Sequence, residues 1–292
     1  MTSSPTWHSS RPLADRLLSL VIWCSGILAG SIILLVLGFI LIKALPTLFT
    51  LGVFPFFNGS AWYPTTNAFA LTPLIFGSLL VALLAIVIAL PIGVAVGIYA
   101  GHLAPPSVAN TLRVLLGVMA GIPSVVWGLW GLTQLVPFIL KIHAPGTSVL
   151  AGGAVLAGMV IPTIALTVMA HVRALPKQHW QAAAALGMSP IAFVMNVVLP
   201  SVRNGIAVGS LLAMTRALGE TMVVLMVCGN VVQIPHSLFD PVRTLTATIA
   251  LEMAYAQGLH TGALYIAGGC LLAIVTLMVL FARHLGSETS HG

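Results

Sequence analysis

Residues 70–100 read ALTPLIFGSLLVALLAIVIALPIGVAVGIYA, without one charged side chain. An apolar helix of roughly 20 residues crosses the hydrocarbon core of a bilayer, about 30 Å thick. Within that core every backbone N–H and C=O must be paired inside the protein, so a spanning segment is a helix or part of a closed barrel. This run is continuous and does not alternate in short segments, which excludes the barrel. It is long enough to tilt, and Pro91 is a candidate kink.

The same character extends outward. No Asp, Glu, Lys or Arg occurs between Lys43 and Arg113, nor between Lys141 and Arg173. Over 292 residues, 59% are hydrophobic and 5% charged, with a mean hydropathy of +1.10. A water-facing domain carries about 25% charged residues, so most of this surface faces lipid. The expected fold is all-α and polytopic, with about six transmembrane helices near 18–42, 70–100, 112–138, 148–171, 204–230 and 261–283. The run from Leu18 to Ile42 is too long for a signal-peptide core and reads as an uncleaved first span. Residues 1–17 and 284–292 read as tails flanking one membrane domain, 18–283.

The net charge of +6 does not point to nucleic acid, because the basic residues are scattered singly and form no cluster for successive phosphates. They read as topology signals. With a cytoplasmic N-terminus, Arg11, Arg16, Arg113, Arg173, Lys177, Arg203 and Arg283 fall inside, and Lys43, Lys141 and Arg243 outside. That bias follows the positive-inside rule and puts both termini in the cytoplasm. The outer stretch 44–69 gathers Phe54, Phe56, Phe57, Trp62 and Tyr63, residue types common at a membrane interface. Cys24, Cys228 and Cys270 lack metal-ligand spacing and read as free thiols.

The inner stretch 172–203 is the longest cytoplasmic loop and the one place where a soluble partner could grip. Its Gln181, Ala182, Ala183, Gly187, Val197, Leu199 and Pro200 fall at the spacing of the "EAA" signature. The loop resembles that of type I ABC-importer permeases, whose short helix docks in a groove of the ATP-hydrolysing subunit. Gln181 stands where the family usually has Glu, which removes a charge contact but keeps length and hydrogen bonding.

Three further stretches narrow the resemblance. They are Gly121–Leu132 with Pro123 and Trp127, Arg216-Ala217-Leu218-Gly219-Glu220-Thr221-Met222 with Gly229-Asn230, and Ser237–Thr246. With Trp62-Tyr63-Pro64 they are similar to the PstC-type permease of phosphate importers, over nearly all of 50–283. The resemblance implies a permease core of 70–283 in the bacterial plasma membrane, working by alternating access. The partners it implies are a second permease (PstA-like), an ATP-binding subunit dimer (PstB-like) and an extracytoplasmic phosphate-binding protein (PstS-like). No cofactor is expected in this chain, since ATP would sit on the partner ATPase. A permease for sulfate or molybdate, or a sensor of phosphate status built on the same fold, are the competing readings.

Charged groups at bilayer depth are the candidate pathway. A central Arg costs about 2.5–3.5 kcal/mol on insertion scales. Arg216 and Glu220, four apart, are expected on one helix face, either neutralising each other or lining the path with Thr221. A guanidinium suits an oxyanion through directed N–H donors and permanent charge. Asp240 and Arg243 are expected near the outer mouth, as a local pair or as receivers of substrate. Glu252 has no evident partner. Gly205/Gly209 and Ala213/Ala217 read as a close-packing seam, against a second permease or within this chain. Gly121 and Pro123 are expected to break the third span.

Enzymatic readings lack their machinery. No phosphate-cradling Gly-x-x-x-x-Gly-Lys-Ser/Thr run is present, no His-Glu-x-x-His, and Ser124 lacks a nucleophile-elbow context. No catalytic residue and no metal site are expected.

Overall fold

The computed structural model describes residues 13–59 and 61–288. Helix α1 (Leu13–Leu51) is longer at both ends than the expected first span. Its 39 residues rise about 1.5 Å each, more than a bilayer core requires, and its apolar surface lies open along most of its length. A short helix α2 (Phe54–Asn58) and a hairpin of β1 (Trp62–Tyr63) and β2 (Ala68–Phe69) follow, with Trp62 opposite Phe69. The aromatics of this stretch divide between two roles. Phe56, Trp62 and Phe69 are buried and pack ring against ring, while Phe54, Phe57 and Tyr63 stay exposed.

Helix α3 (Thr72–Ile98) continues through a π-helical turn at 99–103 and carries Pro91 internally without ending there. Next come α4 (Pro106–Gly121), α5 (Ser124–Trp130), a π turn at 131–135 and α6 (Val136–Leu140). The expected third span is therefore bent by 90° between Gly121 and Ser124. Pro123 explains it, since the residue before a proline is driven out of the helical region, and Ile122 sits at φ −63°, ψ 125°.

Helix α7 (Val149–Arg173) is the axis of the molecule. Ser148 caps it by accepting the Ala151 N–H at 3.2 Å, and most of its residues are buried. α3 lies closest to it. A Cβ on Gly93 or Gly101 would fall 2.8 Å from Ile164 or Val172 of α7, so small residues four apart set the approach.

After α7 come α8 (Lys177–Ala185), α9 (Pro190–Phe193), a π turn at 194–198 and α10 (Leu199–Ser201). A 66° bend leads into α11 (Arg203–Gly219). The remainder is α12 (Met222–Val227), α13 (Leu245–Glu252) and α14 (Leu259–Glu288). Among the described residues, four helices are long and apolar enough to cross a membrane alone, and the spans number up to six when each bent pair counts as one. The architecture is the expected all-α bundle, with the fifth span interrupted rather than running through 204–230.

The small-residue seam of α11 has its partner inside this chain. Gly205 and Gly209 face His171, Thr167 and Ile164 of α7, and Ala213 and Ala217 are core residues. The opposite face, with Val208, Leu212 and Arg216, is exposed.

Candidate functional site

The interruption of the fifth span creates the first element of the site. α11 stops at Gly219, and Glu220 is extended at φ −71°, ψ 133°. One Glu220 oxygen accepts the N–H groups of Met222 and Val223 at 3.1 and 3.4 Å. The carboxylate thus satisfies orphan donors at the positive end of α12. Its backbone carbonyl accepts the Thr246 hydroxyl at 2.8 Å, which fixes the break against α13. Thr221 stands half-buried at the N-cap position of α12.

The shared helix face expected for Arg216 and Glu220 is therefore not formed. The two residues lie on either side of a break, and Glu220 uses its charge on backbone donors. Arg216 occupies the last turn of α11, where the helix dipole favours a cation. It is exposed, and it takes part in neither ion pair found among the described residues.

The second element surrounds Arg243, beside the hairpin. Arg243 does not pair with Asp240, as one sequence reading had it. Its Nη1 donates to Glu252 Oε1 at 2.6 Å, and its Nε donates to the Asn230 carbonyl at 3.1 Å. The other Glu252 oxygen accepts Trp62 Nε1–H at 2.7 Å and lies 2.8 Å from His260 Nε2. Asp240 closes a separate turn, accepting the N–H groups of His236 and Ser237 at 2.8 and 2.9 Å. Those bonds, with His236 and His143 nearby, hold its carboxyl below the usual range.

Glu252 is the residue that sequence reasoning left without a role. It is 4% exposed, and a charge so buried requires partners. Arg243 and His260 were within reach along the chain. Trp62, at a separation of 190 residues, carries no such signal.

The third element is the loop after α7. Gly187 adopts φ +63°, a left-handed conformation suited to glycine, where the motif requires its turn. Gln181, Ala182 and Pro200 are exposed, and Val197 and Leu199 are half-buried. Ala183 is 7% exposed and belongs to this chain's own core, so it faces inward and not toward a docking partner. Outward stand Leu186 and Ile191, each 78% exposed. Trp180 anchors the loop, its ring 3.5 Å from that of His102 and 4.4 Å from that of Phe193.

Residues 93–291 match the family described as binding-protein-dependent transport system inner membrane component. The chain is 34% identical over 258 residues to a probable ABC transporter permease protein, YqgH, of Bacillus subtilis, covering 86% of this chain and 84% of the relative. It is 31% identical over 283 residues to the phosphate transport system permease protein PstC of Mesorhizobium japonicum, covering 88% and 86%.

Among solved structures, it resembles a bacterial ABC transporter involved in the import of alginate, with a TM-score of 0.61, 13% identity and coverage of 94% and 95%. It also resembles the MetNI methionine ABC transporter in inward-facing conformations, with a TM-score of 0.59, 18% identity and coverage of 75% and 95%. These likenesses establish the ABC-importer permease fold. The chain belongs to the family of binding-protein-dependent ABC transport permeases, a multi-pass membrane transport subunit and not an enzyme.

Proposed function

We propose that this chain is the PstC-like permease of an importer that carries inorganic phosphate across the bacterial plasma membrane. The observation that carries the substrate is the similarity to phosphate permeases over most of both chains. In this reading the hairpin end faces outward, and the loop 172–203 and both termini lie in the cytoplasm. Residues 18–283 act as one membrane domain. A PstA-like permease completes the path, a PstB-like dimer binds and hydrolyses ATP, and a PstS-like protein delivers phosphate.

Arg216 supplies the positive charge along the path. Its exposed position, four residues before the break, leaves its guanidinium donors available to an oxyanion. Glu220 and Thr221 shape the break beside it, and the Asp240 turn borders the outer mouth. ATP-driven closure acts on α8 through Gln181, Ala182 and the exposed Leu186. Gly187, Leu199 and Pro200 pass the motion into α11, moving the opening from outside to inside. Such coupling requires contacts that differ between the two states.

The test is uptake of radiolabelled phosphate, sulfate and molybdate by the assembled complex in a strain lacking its own importers. Phosphate alone is expected to accumulate. Hydrogen bonds to a charged group contribute about 1.5–3 kcal/mol, so Arg216→Ala is expected to lower phosphate uptake by at least about tenfold. Accumulation of sulfate or molybdate instead, or unchanged uptake by Arg216→Ala, would refute this assignment.

A further inference from the structure

We infer that Glu252 is a positioning residue, which withdraws Arg243 from the translocation path and makes it the centre of a latch closing the hairpin end. The inference rests on the transport reading above and concerns which of its two candidate arginines meets the anion.

The latch joins segments that are far apart in the chain. Trp62 comes from β1, Arg243 from the segment before α13, Glu252 from the end of α13, and His260 from the first turn of α14. Both carboxylate oxygens are occupied, one by Arg243 and the other by Trp62, with His260 beside it. Side-chain exposure is 18% for Arg243 and 6% for Glu252. The Arg243 Nε is engaged as well, by the Asn230 carbonyl that follows α12. This one side chain therefore ties the outer end of the fifth span to α13.

The backbone is held as firmly. A Cβ on Gly77 would fall 2.7 Å from the Arg243 carbonyl oxygen, so α3 packs directly on this peptide. One residue earlier, the Val242 N–H donates to the Cys228 carbonyl at 2.9 Å.

An anion approaching Arg243 would meet a carboxylate already 2.6 Å from the guanidinium. Two like charges at contact distance in a half-buried site repel each other strongly. Arg216 is in neither ion pair among the described residues, and Glu220 is committed to the N–H groups of α12. The anion is received by Arg216, and Arg243 holds the shape of the mouth.

The experiment compares Arg243→Gln, Glu252→Gln and the double variant in the full assembled complex. The readouts are phosphate KM, maximal uptake, and Tm with and without inorganic phosphate. Arg243→Gln removes the cation from Glu252 Oε1 and leaves the buried carboxylate with Trp62 and His260 alone, so a lowered Tm and lowered maximal uptake are expected. The double variant replaces the ion pair by two amides that can bond to each other. It is expected to recover assembly and Tm over Arg243→Gln, with maximal uptake within about threefold of the parent. KM is expected to stay within about twofold in every variant that assembles.

A KM raised about tenfold in Arg243→Gln at unchanged Tm would overturn the latch, by making Arg243 a substrate contact. Failure of the double variant to recover over Arg243→Gln, in assembly or in Tm, would overturn it too. If the parent complex carries another oxyanion, the phosphate reading falls while the Tm comparison still decides the latch.

Discussion

At the hairpin end, one buried carboxylate is held by hydrogen-bonding partners from three separate segments, all within 2.8 Å. At the loop end, the rings of Trp180, His102 and Phe193 pack against one another, and α3 meets α7 through glycines. Hydrogen bonds weaken steeply once distance or angle departs from its optimum. Stacked rings and small-residue contacts tolerate sliding far better, since they lack a single directed donor. The contrast assigns different work to the two ends: the first is a fixed reference, and the second can shift as a partner pulls on it.

The largest effect is expected inside the loop itself. Ala183→Glu would place an unpaired carboxylate in this chain's core, at a cost of several kcal/mol against a total stability of about 5–15 kcal/mol. The assembled complex should be lost, as measured by co-purification with the ATPase. Ala185→Glu, on the exposed side of the same helix, is expected to change stability by no more than about 0.5 kcal/mol. Equal losses from both would mean that the loop is not divided into an inner and a docking face.

A smaller and more selective effect is expected from Trp180→Ala. The contact with His102 joins the loop to the second span and adds about 0.5–1.5 kcal/mol beyond area burial, so losing it should weaken that link by up to roughly tenfold. Phosphate uptake should fall by that factor, while ATP hydrolysis in the same complex stays within about twofold of the parent. His102→Ala attacks the stack from the other side and should decouple in the same way. Trp180→Phe should restore most of the uptake. Parallel loss of hydrolysis and uptake would make the stack ordinary packing and remove the contrast with the hairpin end.

These two ends were unequally legible in the sequence. The spans follow from long uncharged runs, because lipid leaves the backbone no alternative to helix. The loop follows from motif spacing, and Gly187 turns where expected. The interruption at Gly219–Thr221 had its signals too, a glycine terminator followed by a capping residue, but the apolar stretches on either side of it outweighed them. Arg216 was legible as an expensive charge; its separation from Glu220 was not, because spacing of four places two residues on one face only while the helix continues. The Glu252 cluster was hidden for another reason. A buried carboxylate announces that it needs partners, but nothing local says that one of them is an indole from the hairpin. The spacing of Gly93, Gly97 and Gly101 was open to view, and only the structure shows α7 lying against it.

The smallest effect separates the buried latch from the exposed turn beside it. Asp240 lies at the same end as Glu252 but accepts only from His236 and Ser237 backbone N–H groups. Those bonds hold its carboxyl below the usual carboxylate range in the folded state. The ordering that the carboxylate provides is therefore fully present above the unfolded value, and it is lost as pH falls through the folded one. In the purified complex, proteolytic cleavage of the 236–240 turn should stay slow from neutral pH downward and rise only in that acid window. Asp240→Asn keeps one acceptor oxygen and removes the titration, so its cleavage rate should be flat with pH there. Its phosphate uptake near neutral pH should remain within about twofold of the parent. An uptake loss as deep as that of Arg243→Gln would show that the turn and the Glu252 cluster act as one unit. The rigid reference would then extend to the edge of the mouth, and would no longer stop at the three side chains gathered around Glu252.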